Sequence, residues 1–409
     1  MDLMPLEEAL SYLLKEIKPL PPERVFIKDA LGRVLAEDVA SDTDKPLFDN
    51  SAMDGFAVIY KDIEGASEEH PAVLRIIGEA SAGGETPPEV TCGKAVKIFT
   101  GAPIPEGADT VVPVEFTEVK DDTLLVKKSL KQGANIRRRG EDLKEGETVL
   151  KKGHLIRGYE VGMLAFLNRT TVLVHRKPKV AVLSTGDELL EVGESQTRPS
   201  QIRSSNHHMI YSLVQSAGAD PVQLGIAPDD PQELLELLRT CKDYDIFITT
   251  GGVSMGEKDY IQFLVREVGV DVKFHRLRIK PAKPVLFGTY GEHKLFFGLP
   301  GNPVSCAIAF DLFILPSIRG MLGLKNIFRT KLRARLVKPF KRKDSYRREF
   351  ARATVRYEGG EFLCEPHPKL QSHMLSSVVE SNAYMIVMEG VNELPEGAEV
   401  DVILIGDIP

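Results

Sequence analysis

Cysteine is scarce and unpatterned in this chain of 409 residues. Cys92, Cys241, Cys306 and Cys364 stand far apart with no CxxC pair, which argues against a disulfide framework and a structural zinc site. Long apolar runs are missing too. None reads as long enough to span a bilayer, and the opening MDLMPLEEALSYLLKEIKPL is acidic and amphipathic, unlike a signal peptide. A cytoplasmic location is therefore expected. Nor is there an excess of positive charge. A net charge of −7 leaves no broad cationic footprint for general nucleic-acid binding, although a local run such as RRRG at 137–140 can hold a small anion. Neither GxxxxGK[ST] nor GxGxxG occurs, so P-loop and dinucleotide-binding enzymes lack their fingerprints. No solenoid repeat and no low-complexity segment is visible. The adjacent pair His207–His208 suggests a metal, but a solvated helix start is the plainer reading.

What is present, 43% hydrophobic and 27% charged residues, is the composition of a soluble globular protein of two to four domains. Residues 4–18 read as an amphipathic helix stopped by KPLPPE. From about 25 to 175, short β-branched runs punctuated by Gly, Pro and Asp predict a β-rich half. At Lys177–Pro178 the pattern changes to strands alternating with helices. KVAVLST (179–185), DIFITT (245–250) and KLFFGLP (294–300) read as buried strands; 204–218, 230–243, 258–269 and the run from Asn302 read as helices. Asp230 and Asn302 are the expected N-caps, each followed by proline at the first helical position. Residues 177–326 thus form a doubly wound α/β unit with a mostly parallel sheet. Beyond Lys331 a small β-barrel or sandwich is expected.

In an open α/β sheet, ligands collect outside the carboxyl ends of the strands. Three strands here run into unusual text at that end. Ser184 and Thr185 lead into Gly186 and the GDEL segment; TTGG is followed by VSMGEKD; GLPGNP closes the third. Glycines such as Gly251 and Gly252 let backbone N–H groups face a phosphate, with Ser254 close behind, and a following helix adds partial positive charge. Carboxylates at such a place (Asp187, Glu188, Asp259) repel bare phosphate and make sense around a divalent cation, so the stretch reads as a magnesium–phosphate site. The plain alternative is a tight turn with Asp259 as a helix-start acid. In FHRLRIKPAKP (274–284), Arg276, Arg278 and Lys280 alternate along an apparent strand and share one face, while Lys280 and Lys283 bracket a proline. A grip on a tetrahedral oxyanion and a solvated strand edge both fit that pattern. Asp49, Asn50, Ser51 and Asp54 in FDNSAMDGFAV, and Thr100 in FTGAPIPEGAD, fit turn chemistry equally well. The arginines of IRRRGEDLKEG, beside Glu141 and Asp142, fit a surface ion network or an anion clamp.

Taken in order, NSAMDGFAV, IFTGAPIPEGADTVV, IRRRGEDL, LSTGDEL, TTGGVSMGEKDY, IKPAKP and GLPGNPVS resemble the molybdenum insertase family, called MoeA in bacteria and matched by the E domain of gephyrin. The resemblance spans nearly the whole chain. It implies an elongated homodimer of four parts: 1–45 with 142–176 for dimerisation, 46–141 as a β-rich lid, 177–326 as the molybdopterin-binding α/β domain, and 327–409 as a C-terminal β-barrel. The implied reaction inserts molybdate, or tungstate, into adenylylated molybdopterin and releases AMP with Mg2+ present. Carried over position by position, Glu188, Asp229 and Asp259 would serve the metal–phosphate end. Lys280 and Lys283 would lie at the molybdate and pterin-phosphate region, shaped by Pro300 and Pro303. Asp54, Thr100, Arg137 and Asp142 would reach the site of the other subunit, with Asp54, Thr100 and Asp142 in catalytic roles, and Arg352 and Ser372 would add the C-terminal contribution. The chain departs from the family's frequent IKPGKP at Ala282, a strain on the loop if that residue has positive φ. A molybdopterin adenylyltransferase would be the upstream partner. The rival functions are that adenylylation itself, or a noncatalytic carrier of finished cofactor; neither nucleic acid nor membrane is an expected partner.

Overall fold

A six-stranded sheet organises the larger of two units into which the chain divides, and its residue pattern explains its position. The computed structural model describes residues 3–253 and 260–408. The larger unit takes the chain up to Glu37, Lys152–Val161 and everything from Thr170 on; the smaller takes Asp38–Lys151 and Gly162–Arg169. In the larger unit, β1 (Lys179–Thr185) is followed by α1 (Asn206–Ser216), β2 (Asp220–Ala227), α2 (Pro231–Arg239), β3 (Ile246–Thr250), α3 (Ile261–Glu267), β4 (Asp271–His275), β5 (Leu286–Tyr290) and β6 (Lys294–Leu299). The sheet order is β2-β1-β3-β6-β5-β4. The first four strands are parallel neighbours, and β5 and β4 add antiparallel. Every residue of β3 is buried, as a central strand covered on both faces requires.

The helices follow from local chemistry. Asp230 caps α2, its Oδ1 accepting from the N–H groups of Gln232 (2.9 Å) and Glu233 (3.0 Å), with Pro231 next. Leu234 and Leu238, one turn apart, give α2 its buried stripe. The helix from Asn302 differs from that design, because Asn302 makes no side-chain cap bond. This helix, α4, spans Pro303–Met321 and passes through one π-turn at Phe310–Ile314. The wider turn precedes Pro316, which has no N–H to donate to the turn before it. Contrary to the sequence expectation, α4 is long and apolar enough to cross a membrane; 89% of it is buried, as in the core helix of a globular unit. The first helix, Leu6–Glu16, lies inside the span expected at 4–18, and its Leu6, Ala9 and Leu13 join the same core.

The apparent strand through Arg276, Arg278 and Lys280 does not form as one element. After β4 the backbone turns at Arg276 (φ 78°), and only Ile279–Lys280 is extended in a ladder. Arg276, Arg278 and Lys280 therefore do not share one strand face. Leu277 N–H bonds to the Lys283 carbonyl instead (2.8 Å), closing the segment into a loop. Ile279–Lys280 pairs in parallel with Arg348–Glu349 at the start of a closed barrel. The barrel strands are β7 (Lys331–Leu336), β8 (Arg348–Glu358), β9 (Glu361–Pro366), β10 (Ala383–Val387) and β11 (Glu399–Leu404). Pairing runs β8-β9-β7-β11-β10 and returns to β8, which leaves no open edge in the ring.

The smaller unit is β-rich, as its sequence predicts. Its six-stranded sheet has the order Thr110–Pro113, Gly55–Val58, Lys94–Ile98, Ala72–Ala80, Thr123–Val126 and Thr117–Lys120. Phe56, Val58 and Leu74 pack on one side with Val112 and Leu124, while Ala57, Val96 and Val111 fill the other.

Candidate active site at the carboxyl rim of the sheet

The loops leaving β1, β3 and β6 at their carboxyl ends enclose a cavity of about 580 Å³. Thr185, Gly186 and Glu188 line it from the first loop, Thr250 to Val253 from the second, and Pro300 to Pro303 from the third, with Asp229 following β2. Two glycines show why bare backbone is needed. Gly186 has φ 145°, and a Cβ there would fall 2.6 Å from Glu188 Oε2, because that carboxylate folds back over it. Gly251 has φ 97°, and its Cβ would fall 2.6 Å from the Thr185 carbonyl oxygen, because the two strand ends touch. Below the floor, Ser184 Oγ and Thr250 Oγ1 are 2.7 Å apart and lock β1 to β3. Thr185 Oγ1 lines the cavity, is buried, and has no hydrogen-bond partner among the described residues. A buried hydroxyl of that kind is costly unless something else pairs with it.

The acidic side chains divide. Glu188 and Asp229 both line the cavity. Asp187 turns away and accepts the Asp229 N–H at 3.1 Å, tying the GDEL loop to APDDP. Asp259 and Ser254 lie outside the described residues. The oxygen-only character of Glu188, Asp229 and the Thr185 hydroxyl suits a hard cation such as Mg2+.

A second cavity, about 550 Å³, adjoins the first and shares Pro284, Pro300, Asn302 and His373 with it. Lys280, Lys283 and Arg347 supply its positive charge, and Ser372 lines it. Lys280 is fixed at its base by the pairing with β8 and at its head by Glu349, 3.1 Å away and almost fully buried. Ala282 does take the positive φ its position demands, 71°, in a buried place. Alanine in that region costs ~1–2 kcal/mol relative to a relaxed backbone. Arg352 lines neither cavity. It is fully buried, with Nε 3.2 Å from Ser377 Oγ and Nη2 3.3 Å from the Lys369 carbonyl, so it supports the segment that carries Ser372.

In the smaller unit, Asp54 and Thr100 meet. Asp54 Oδ1 accepts from Thr100 N at 2.7 Å and from its Oγ1 at 2.8 Å, which holds the Asp54 carboxyl below its ordinary range, the backbone bond contributing most. Two of the three arginines in IRRRGED are surface partners: Arg138 bonds Asp49 at 2.6 Å and Arg139 bonds Asp44 at 2.7 Å. Arg137 lies in a short ladder against Asn50, and the Asp142 N–H bonds to the Lys45 carbonyl at 3.0 Å.

The structure adds residues that sequence reasoning passed over. Asn302, read as a helix cap, lines both cavities; His373 does so from the residue after Ser372; Asn206 donates to the Gly301 carbonyl at 2.7 Å. Arg347 offered no signal beyond belonging to a basic cluster. The expected solvated helix start at His207–His208 is half wrong, since His207 is fully buried. Its Nδ1 lies 2.7 Å from Ser204 Oγ.

Three family models match in chain order: the MoeA N-terminal region (domain I and II) over residues 4–167, a "Probable molybdopterin binding domain" over 181–320, and the MoeA C-terminal region (domain IV) over 333–405. A molybdopterin molybdenumtransferase of Bacillus subtilis (strain 168) is 35% identical over 407 residues, covering 98% of this chain and 94% of that protein. One from Staphylococcus aureus (strain Mu50 / ATCC 700699) is 32% identical over 402 residues, covering 98% and 95%. The crystal structure of the molybdopterin biosynthesis moeA protein from Pyrococcus horikoshii OT3 superposes with a TM-score of 0.83 at 35% identity, over 98% of this chain and 100% of that one. A molybdenum cofactor biosynthesis protein from Pyrococcus furiosus, 24% identical with a TM-score of 0.60 over 98% and 100%, shares the fold.

Proposed function

Because the chain belongs to the MoeA family of molybdopterin molybdenumtransferases, we propose that it is a transferase of molybdenum cofactor biosynthesis. In this reading a cytoplasmic homodimer takes adenylylated molybdopterin from a molybdopterin adenylyltransferase, inserts molybdate or tungstate, and releases AMP in a Mg2+-dependent step. The observation that carries the reading is the adjoining pair of cavities, one lined by carboxylates and bare glycine backbone, the other by lysines and an arginine.

Splitting a phosphoanhydride builds negative charge on the departing phosphate oxygens. The Gly251 N–H is given to the Leu299 carbonyl (3.0 Å), which leaves the Gly252 N–H and the Thr185 hydroxyl as the donors this loop can aim at that charge. Glu188, Asp229 and Asp259 would hold the magnesium ion, which would supply charge neutralisation at the phosphates when bound. Lys280, Lys283 and Arg347 suit a tetrahedral dianion, and Glu349 orients Lys280. Ser372 and His373 would help position the oxyanion; Pro300 stiffens the wall shared by the two cavities, and Pro303 that of the first. Asp54, Thr100, Arg137 and Asp142 are proposed to serve the same reaction within the homodimer. Sulfur-for-oxo exchange at molybdenum needs protons and alignment, so no covalent enzyme intermediate is expected.

The test is incubation with adenylylated molybdopterin, molybdate and Mg2+, reading AMP and protein-bound molybdenum. AMP release that requires the metal supports the reading. Formation of adenylylated product from molybdopterin and ATP would instead assign the sister reaction, and retention of finished cofactor without AMP release would assign a carrier.

A further inference from the structure

We propose that Glu191, His207 and His208 form a site for a divalent transition-metal ion of zinc-like preference, separate from the two cavities. Glu191 follows the short strand Leu189–Leu190, and the two histidines occupy the first turn of α1. The carboxylate is shared between the rings: Oε2 lies 3.1 Å from His207 Nε2, and Oε1 lies 2.6 Å from His208 Nε2. One ligand atom from each residue lies within 4.8 Å of the others. Successive side chains on a helix point about 100° apart, so two adjacent rings converging on one carboxylate is not the default arrangement.

The second observation is the state of His207 Nε2. The residue is fully buried, and Nε2 has no hydrogen-bond partner of regular geometry among the described residues, although Glu191 Oε2 lies 3.1 Å away. With the ring proton on Nδ1 and donated to Ser204 Oγ, Nε2 turns a bare lone pair toward a carboxylate oxygen. Two facing acceptors are unfavourable where one of them, the His207 nitrogen, is buried, and a cation between them removes the cost. An Nδ1–H bond to a fixed oxygen is also the outer contact that orients a metal-bound imidazole. Arg203 donates to the Glu191 carbonyl (2.8 Å) and not to its carboxylate, whose Oε1 also accepts the Val192 N–H at 3.1 Å.

Two imidazoles and one carboxylate suit zinc and its neighbours, with a water as fourth ligand, whereas magnesium prefers oxygen alone. His208 and Glu191 are 42% and 35% exposed, which gives the ion an entry path. Bound there, it would clip the segment after Glu188 to the start of α1. Ser204 and Asn206 line the first cavity at that point, and the ion would stiffen its wall. The inference does not depend on the reaction assigned to the cavities.

The test titrates chelator-treated full-length chain with Co2+ and follows its visible absorption. One ion per chain with a four-coordinate spectrum is expected, displaced by equimolar Zn2+ and unaffected by millimolar Mg2+. His208→Gln and Glu191→Gln, at part-exposed positions, should each weaken binding about 10- to 100-fold while the far-UV spectrum stays native. Absence of stoichiometric Co2+ binding would overturn the proposal, as would binding that survives both substitutions. Binding lost in Glu188→Gln and competed by Mg2+ would place the ion at the cavity carboxylates, and would overturn it too.

Discussion

The two rims of the central sheet carry the same kinds of residue and use them in opposite ways. At the amino rim, Asp245 is fully engaged: Arg176 donates to both its oxygens, at 2.7 and 2.6 Å, and the Lys179 N–H adds a bond of 2.8 Å. At the carboxyl rim, Glu188 faces a cavity, and Thr185 Oγ1 has no partner among the described residues. A carboxylate whose bonds are all internal holds strands together, whereas one that faces a cavity is available to a ligand. Burial and cavity position separate the two roles, which residue type alone cannot do.

Substitutions at the two rims should therefore fail differently. The largest effect is expected for Glu188→Gln, which should lower AMP release about a hundredfold or more, ~3 kcal/mol in the barrier, with unfolding free energy within ~0.5 kcal/mol of the parent. Comparable activity in the variant would break the contrast. Gly251→Ala should cost ~2–3 kcal/mol in urea unfolding and most of the activity, because its new methyl meets the Thr185 carbonyl and not a movable side chain. Asp245→Asn should cost ~2 kcal/mol, a figure reduced for partial exposure, and leave turnover per folded molecule unchanged. Burial works against ionisation of Asp245, but Arg176 and the Lys179 N–H outweigh it and hold its pKa below the ordinary carboxylate value. Its contribution is then present above the unfolded pKa, near 4, and is lost as pH falls through the lower folded value. Thermal melts between pH 5 and pH 2.5 should show a shallower acid loss in Asp245→Asn than in the parent. The smallest effect is Ala282→Gly, a gain of ~0.5–1 kcal/mol from relief of the φ of 71° less the added freedom of the unfolded chain.

Much of this was legible in the text of the chain, and what was missed has identifiable causes. Of the six α/β strands, β1, β3 and β6 were read within a residue or two because buried parallel strands read as unbroken apolar runs, whereas β2, β4 and β5 were not read as strands; Asp230–Pro231 marked α2 by a cap whose bonds are present. The carboxyl-rim loops were visible because glycine-rich text follows three strand ends, with acids beside it at two of them. The basic segment at 276–280 misled, since alternating charge imitates a strand and cannot reveal that Arg276 bends the chain. In IRRRGED the sequence left two readings open, and the Arg138–Asp49 and Arg139–Asp44 pairs are long-range contacts that no local pattern contains. His373 and Asn302 gave no local sign of their place, which depends on how the barrel segment and α4 meet at the cavities. The buried His207 was misread because a helix start is usually wet, whereas this residue is fully buried.

The most direct measurement is a crystal structure of the protein with adenylylated molybdopterin and Mg2+. The account predicts the anhydride phosphates against the Gly251–Gly252 loop with Glu188 at the metal, and the pterin side toward Lys280 and Lys283. Ligand density at the amino rim beside Asp245, or a bound nucleotide that touches neither Gly251 nor Glu188, would contradict it.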